Sequence, residues 1–479
     1  MLLNIKNNKF LYSSLLVSAI YFIFMIKFYL LNYYVPDYLL YVSFGLNNLP
    51  SKDSFSSLFI KIVQYGTIKE YAIFLHIFSL FSLTLTIFSF LYFFYKVYQP
   101  NFKTFCVAIL GVVSCGVWYY IYGKLVYDFP FSAISYAFCL IFLSKWITTK
   151  SVEYFCLIFL CLGFLLSWKL YNVFLVVGFI GIIAVSEITK SLFWGAIKNK
   201  KYLLTIITLF ILGYILGNYH LIDRTLATIK GLRGYPAHYS FYEFFFVNNR
   251  PVWDHVNLLG FHYSIFLVPI VLFIMFIMPI LLKQKLHLIT SLFITIALYV
   301  FITNYSPGYT WHGFPLALYV LTLFLVLLGS LKNFNAKIHN IYLIIFVIIF
   351  AIQAVSTFGF YIPQQVKWHN NTLRIEKILE NNSVLIHQEI KKIIIKYNLK
   401  DDYKITTTLK RYNFKSGFSI YSPIFYDEVW NTSDLKNSYY SFKPEHNVIT
   451  VSTLLEGQKI LSDAIIEYKD DNIIITYRK

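Results

Sequence analysis

The sequence predicts an α-helical polytopic membrane protein with a small α+β domain at its C-terminal end. Three observations predict this class. Of the 479 residues, 58% are hydrophobic and only 13% are charged, which is too few charges to cover a water-soluble surface. The apolar residues form long windows, and nearly all acidic residues lie in alternate loops between these windows.

The apolar windows define the predicted spans. A helix needs roughly 20 apolar residues to cross a bilayer, and we therefore expect about eleven spans. They lie near residues 10–34, 71–95, 105–122, 130–147, 153–168, 170–187, 202–219, 262–282, 287–303, 313–330 and 340–360. The first window is long and no small-x-small cleavage site follows it, so we interpret it as an uncleaved anchor.

The distribution of charge predicts the topology. The lysine-bearing loops contain only Glu153 and Glu187 as acids, which assigns these loops and the N-terminus to the cytoplasm. An odd number of spans then places the C-terminal domain outside the cytoplasm. The net charge of +18 follows from this topology, and no nucleic acid is needed to explain it.

Two domains are expected. Residues 1–361 form a transmembrane domain with long outer loops at 35–70 and 220–261, and such loops commonly carry binding and catalytic residues. Residues 362–479 form the soluble domain. Its helical pattern runs from Asn371 to Asn398 with a break near Asn381 and Asn382, and strand-like runs follow at 447–453, 464–468 and 472–477.

Two acidic residues are candidates for catalysis. Asp37 follows Pro36 just after the first span, and Asp128 precedes Phe129 and Pro130 at the start of the fourth. A carboxylate at the membrane surface can act as a general base. Each residue taken alone is more simply interpreted as the N-cap of the helix that follows it.

Several cations are candidates for binding a phosphate. Lys169 lies between two apolar runs with almost no loop, and it either extends to the interface or binds an anion. The second long loop carries four more cations among many aromatic residues, namely Arg224, Lys230, Arg233 and Arg250. This combination suits a lipid-linked phosphate and a sugar, and anchoring to anionic lipid is the alternative. No zinc pattern or nucleotide-binding fingerprint is present, and we predict no metal site.

The order of these features resembles the GT-C class of integral membrane glycosyltransferases. The shared landmarks are an acid early in the first outer loop (Asp37), an acid before a proline and a span (Asp128), a lysine after an apolar run (Lys169) and a late proline-bearing helix (Pro315). The resemblance covers residues 1–330. It implies transfer of a sugar, a hexose, from a polyprenyl-phosphate donor to a glycan or lipid-linked acceptor at the outer face of the bacterial cytoplasmic (inner) membrane.

The resemblance also assigns roles. Asp37 would be the general base or the carboxylate that orients the acceptor, and Asp128 would be its partner. Lys169 and some of the loop cations would hold the phosphate, and a divalent cation is a possible cofactor. The architecture further resembles serotype-converting O-antigen glucosyltransferases. Asp37 is followed by Tyr38 rather than a second acid, and the Trp-Trp-Asp-Tyr-Gly signature of oligosaccharyltransferases is absent, so transfer of a whole glycan to asparagine is not expected. A polysaccharide flippase or transporter and an O-antigen polymerase remain alternatives.

Overall fold

The structure is a computed structural model that is mostly helical and has a small sheet near the C-terminus. It describes residues 9–30, 68–119, 128–168, 172–186, 188–217, 314–399, 404–407, 447–453 and 464–479. The chain divides into two compact units, and the boundary between them in the C-terminal part of the chain falls between Gln365 and Val366.

The first unit is built from helices. They are α1 (Lys9–Leu30), α2 (Ile68–Tyr98), α3 (Phe102–Val113), α4 (Asp128–Thr149), α5 (Val152–Trp168), α6 (Asn172–Val185), α7 (Lys190–Lys198), α8 (Lys200–Gly217), α9 (Phe314–Ser330) and α10 (Ala336–Ala354). A 3-10 turn at Gly116–Tyr119 follows α3, and a π-helical segment at Val355–Tyr361 follows α10.

The predicted membrane class is confirmed in coarse form. Within the described residues, five helices are long and apolar enough to cross a membrane, and six are if the bent pair α6 and α7 forms one span. The number of about eleven spans stays a prediction. The windows at 262–282 and 287–303, the loop at 220–261 and most of the loop at 35–70 lie outside the described residues.

Two predicted spans differ from the observed helices. The window at 105–122 contains α3, which ends at Val113 after 12 residues and therefore extends only about 18 Å. The window at 170–187 contains α6, which ends at Val185, and α7 continues from it at an angle of 101°. Hydropathy records the apolar side chains of both windows and is insensitive to backbone breaks, and the sequence therefore did not reveal these ends.

Glycines allow α5 and α8 to pack with their backbones almost in contact. A Cβ atom added to Gly163 would overlap the carbonyl oxygen of Phe210, and one added to Gly213 would overlap that of Leu160. One added to Gly217 would overlap the Ser167 side chain. Gly213 and Gly217 are four residues apart, the small-xxx-small spacing that brings membrane helices together where lipid removes the hydrophobic drive for association.

The first unit has buried and peripheral helices. Most of the apolar length of α2 and α4 is buried, whereas α1 and α8 are buried over less than a quarter of theirs. The exposed side chains of α1 and α8 are large and apolar, including Ile20, Ile23, Leu204 and Ile211. Exposed apolar faces of this length are stable against lipid and unstable against water.

The second unit combines two helices with a sheet. Its elements are α11 (Ile362–Asn381), which begins just before the boundary, α12 (Ser383–Lys396), β1 (Lys404–Thr407), β2 (Val448–Thr453), β3 (Ile465–Lys469) and β4 (Ile473–Arg478). The helical prediction is confirmed, including the break at Asn382, and the three predicted strands are confirmed to within one residue at each end. Strand β1 was not predicted, because it has only four residues.

One face of the sheet packs against α12. The strand order is β1-β2-β4-β3, with β1 parallel to β2 and the other pairs antiparallel. Ile386, Ile390 and Ile393 lie on one face of α12 and form a buried cluster with residues that include Ile449 and Ile475. Spacings of four and three residues place the three isoleucines along one side of the helix, so α12 covers the sheet.

A polar contact joins α12 and its C-terminal end to the sheet. The Lys396 ammonium lies 2.7 Å and 3.0 Å from the two carboxylate oxygens of Glu467, and the Tyr397 hydroxyl donates to one of them at 2.5 Å. Partial burial acts to raise the pKa of Glu467, but these hydrogen bonds outweigh it and hold that pKa below its ordinary value. The ionised carboxylate therefore stabilises the contact between α12 and β3.

The α5 and α8 contact generates a prediction with an internal control. Gly213→Ala should destabilise the first unit by about 2 kcal/mol, because the added methyl group meets backbone atoms that have no freedom to move. Gly195→Ala should leave stability unchanged or raise it by up to about 1 kcal/mol, because a Cβ there meets open space in a helix. Thermal unfolding of both variants in the same detergent measures the difference. Equal melting temperatures would contradict the close approach of the two helices.

The Glu467 contact generates a second prediction. Glu467→Gln should lower the hydrogen-exchange protection of the β3 amides at pH 7. Because the folded pKa of Glu467 is lowered, its stabilisation is complete above the unfolded value of about 4.3 and is lost as the pH falls through the folded pKa. The difference in protection factor between wild type and variant should therefore vanish in acid.

The matched control is Glu389→Gln, since Glu389 also pairs with a lysine, Lys392, but within a single helix at a spacing of three residues. Glu389 acts on β3 through its charge near Tyr468, and because a tyrosine is neutral at pH 7, loss of the pair should leave β3 protection nearly unchanged. If Glu389→Gln loosened β3 as much as Glu467→Gln does, the assigned role of Glu467 would be wrong.

Candidate functional site

The early end of α3 leaves an irregular backbone segment inside the first unit. The α-helix ends at Val113, and Ser114, Cys115, Trp118 and Tyr119 are all buried. Irregular backbone at membrane depth is stable only where protein or a water-filled cavity supplies hydrogen bonds, since lipid supplies none. We call the segment Ser114–Tyr119 the α3 break.

Side chains from other parts of the unit satisfy the carbonyl groups at the α3 break. The Trp118 indole N–H donates to the Val112 carbonyl at 2.7 Å. The Tyr21 hydroxyl, from α1, donates to the Trp118 carbonyl at 2.7 Å. The Thr357 hydroxyl donates to the Ser114 carbonyl, also at 2.7 Å. The break is therefore held by α1 on one side and by the segment after α10 on the other.

Thr357 belongs to the π-helical segment. Within this segment the Thr357 and Ser356 side chains are buried, and the Phe358 ring contacts Tyr119 edge-on with centroids 5.4 Å apart. A π-bulge rotates the following side chains relative to a regular helix and often occurs at functional sites. Here it faces the α3 break, so two irregular segments lie side by side in the first unit.

Several helix termini converge at one end of the first unit, which we call the Asp128 end because α4 begins there. Asn172, the first residue of α6, donates one N–H to the Ser132 hydroxyl at 3.0 Å and another to the Leu165 carbonyl at 2.8 Å. These bonds join the beginnings of α4 and α6 to the last turn of α5. Asn172, Ser132 and Leu165 are buried.

Helices α1 and α2 reach the same end. The Phe78 ring of α2 contacts Phe131 of α4 with centroids 5.1 Å apart. Two residues earlier, His76 is buried and lies edge-on to Tyr29 at the end of α1, with centroids 6.4 Å apart. The hydroxyl of Tyr29 lies beside Ser79. We call Tyr29, His76, Ser79, Ser132 and Asn172 the terminal cluster.

The structure describes one of the predicted site residues. Asp128 lies at the first position of α4 with Pro130 in the first turn, an arrangement that fits the helix-start interpretation made from the sequence. The other predicted residues lie outside the described residues: Asp37, Lys169, Arg224, Lys230, Arg233 and Arg250. Their roles stay predictions.

The described helices nevertheless show which helix ends lie next to three of the predicted residues in the sequence. Asp37 follows the end of α1 by seven residues, and Lys169 falls between the last residue of α5 and the first residue of α6. Together with Asp128, they are connected to helix ends that meet at the Asp128 end. The terminal cluster itself was not predicted, because single hydroxyl, amide and imidazole groups in apolar windows leave no periodic signal.

A second set of polar contacts joins the helices below the terminal cluster. The Tyr136 hydroxyl of α4 is hydrogen-bonded to the Thr322 hydroxyl of α9. The Thr86 hydroxyl of α2 donates to the Ala133 carbonyl of α4 at 3.0 Å. Within the described ranges, there is no group of three or more His, Cys, Asp or Glu side chains that could hold a metal ion.

The terminal cluster predicts a specific loss of stability. Asn172→Ala removes both donors and leaves the buried Leu165 carbonyl without this partner, which should cost about 1 to 3 kcal/mol. Ser135→Ala is the control, because the Ser135 hydroxyl donates to the Phe131 carbonyl one turn earlier in its own helix. This hydrogen bond does not connect two helices. Thermal unfolding in detergent tests this. Equal effects of the two substitutions would contradict a connecting role for Asn172.

Comparison with known proteins identifies no relative of the chain, since no family model, curated protein or solved structure matches it.

Proposed function

We propose that the protein is a membrane glycosyltransferase that moves a hexose from a polyprenyl-phosphate donor to a surface glycan such as O-antigen. One observation carries the proposal: the ends of α1 and α5 and the beginnings of α4 and α6 meet at the Asp128 end. Three of the residues that the sequence selects for catalysis and phosphate binding, Asp37, Asp128 and Lys169, attach to these same helix ends. Residues scattered over the sequence can therefore serve a single site.

The terminal cluster suits this chemistry. A lipid-linked sugar has an apolar chain that remains in the bilayer and a polar head that needs hydrogen-bonding groups at the edge of the apolar region. Tyr29, Ser79, Ser132 and Asn172 provide hydroxyl and amide groups at that depth. The aromatic rings of Phe78 and Phe131 lie among them. This combination can accommodate both parts of such a donor.

The proposed reaction balances without a redox partner. The acceptor hydroxyl oxygen forms a bond to the anomeric carbon of the sugar, and the bond from that carbon to the phosphate oxygen breaks. Asp37 takes the hydroxyl proton as general base, and the polyprenyl phosphate leaves with the electron pair. Lys169 and the cations of the second long loop stabilise the charge of the leaving phosphate.

One observation favours a transporter as the second candidate. Buried polar residues recur on one side of α2 from His76 through Ser79, Ser82, Thr86 and Ser89, as a polar route through the membrane would require. Local bonding weakens this alternative. The Ser82, Thr86 and Ser89 hydroxyls donate to carbonyl groups three or four residues earlier in the same helix, which satisfies these hydroxyls in apolar surroundings without a transported solute.

The proposal predicts the effect of Asp128→Asn on surface glycans. Mass spectrometry should be applied to the polysaccharide and lipid A of cells that lack the gene and are complemented with wild type or variant at equal membrane abundance. Wild type should add a hexose mass. Asp128→Asn and Asp37→Asn should each reduce this gain roughly 100-fold, the usual contribution of a positioned carboxylate.

Two controls separate catalysis from folding. Asp471→Asn changes an acid in the bend between β3 and β4 and should leave the glycan unchanged. The melting temperature of purified Asp128→Ala tests the helix-start role, whose loss should cost about 1 kcal/mol. Asp128→Asn keeps a residue that caps helices about as well as Asp and therefore tests the charge. A wild-type gene that adds no mass to any glycan would refute the glycosyltransferase and leave transport as the better candidate.

A further inference from the structure

The short helix α7 differs from the long helices of the first unit. It has nine residues, Lys190–Lys198, and meets α6 at 101°. It is followed at Lys200 by α8, a helix long and apolar enough to span a membrane. A short helix that turns this far from the helix before it and directly precedes a span fits a location at the membrane surface.

Its side chains divide into two faces. Phe193 and Ala196 are buried, and the Phe193 ring contacts Phe155 of α5 edge-on with centroids 5.8 Å apart. Lys190, Trp194 and Lys198 follow one another at a spacing of four residues and are exposed. They therefore form a line along one side of the helix. We call these three residues the α7 line.

Trp194 sits at the edge of apolar and polar surroundings. Its side chain is 48% exposed, and its indole N–H donates to the Ala184 carbonyl near the end of α6 at 3.1 Å. The Thr189 hydroxyl donates to the carbonyl of Ile183, one residue earlier, at 2.5 Å. An exposed tryptophan that binds a helix end is typical of the boundary between hydrocarbon and headgroups, where one part of the ring is apolar and the other is wet.

More lysines surround the α7 line. Lys145 and Lys150 are close in sequence to Trp146, which ring contacts connect to α7. Trp146 stacks on Phe155, with centroids 4.3 Å apart, and Phe155 contacts Phe193 of α7. Lys200 and Lys201 begin α8 and are exposed. Apart from Lys169, which connects to the Asp128 end, the sequence from Lys145 to Lys201 has six lysines and only two acids, Glu153 and Glu187. The local charge is strongly positive.

We propose that α7 is a membrane-surface helix whose α7 line binds the headgroups of anionic phospholipids. Lipid is the occupant that this surface fits, because Trp194 needs a partly apolar neighbour and the two flanking lysines need anions. A span follows directly, which keeps the helix at headgroup depth. This site is separate from the terminal cluster, which lies at the other end of α4, and it does not depend on the proposed glycosyltransferase activity.

The test uses the full chain in vesicles that contain phosphatidylcholine and phosphatidylglycerol. The two lipids are present at equal mole fraction, and the acyl chains of one or the other carry bromine, which quenches tryptophan fluorescence. The fluorescence is measured in both kinds of vesicle. The difference between wild type and Trp194→Phe isolates quenching at Trp194 from that at the other tryptophans. Brominated phosphatidylglycerol should be preferred on the order of fivefold, since one lysine at an anionic surface contributes about this factor.

Lysine variants test the origin of the preference. Lys190→Gln with Lys198→Gln should abolish most of the excess quenching by the anionic lipid. The matched control, Lys377→Gln with Lys391→Gln, removes two exposed lysines of the second unit. It should retain the excess quenching by the anionic lipid. Retention of phosphatidylglycerol by the full-length double variants in native mass spectrometry provides a second measurement that needs no tryptophan substitution.

Two outcomes would overturn the proposal. Equal quenching by the two brominated lipids would mean that α7 contacts lipid without selecting anions. The second outcome combines two results: Trp194 is not quenched, and the Lys190→Gln and Lys198→Gln variant retains as much phosphatidylglycerol as wild type. Together they would mean that the α7 line faces water. An acidic protein partner would then be the better explanation for its lysines.

Discussion

The need to satisfy every backbone polar group in apolar surroundings governs the first unit, and the α3 break is where this need is greatest. A helix that ends at Val113 leaves carbonyl groups that neither lipid nor the helix can pair. Tyr21, Trp118 and Thr357 pair with three carbonyls of this region. Tyr21 and Thr357 come from distant parts of the chain, so the short helix also fixes how α1 and the π-helical segment pack around it.

Close backbone packing and local hydrogen bonds allow the helices to associate without charged residues between them. Between α5 and α8, Gly163 and Gly213 bring backbones together and gain dispersion contacts that larger residues would prevent. Many serine and threonine hydroxyls bond to their own helix one turn earlier, as Ser144 does at 2.7 Å, and a few, such as those of Thr86 and Thr357, reach another element. Asn172 is different, because its two donors reach α4 and α5, and it joins helices at the position where the chemistry is proposed.

The sequence predicted the elements whose signal is periodic or cumulative. Apolar windows located α1, α2 and α10, and alternation located β2, β3 and β4, because each rests on several residues that act together. It did not predict the end of α3, the bend before α7 or strand β1, which depend on one or two residues and on partners distant in sequence. The terminal cluster was not predicted for the same reason: His76 and Asn172 become part of a cluster only when folding brings four helix ends together beside α2.

The location of Asp128 at a helix start bears on how the two proposed acids divide their work. The N-terminus of α4 carries a partial positive charge that favours an ionised carboxylate. A negative charge at this position suits the positive charge that develops at the anomeric carbon in the proposed reaction as the phosphate leaves. Asp37 is then the better candidate to accept the acceptor's proton. On this division, replacing Asp128 by Asn removes charge stabilisation and leaves the pH dependence of the rate in place. Replacing Asp37 removes the acidic limb, where the rate rises with pH as the general base loses its proton.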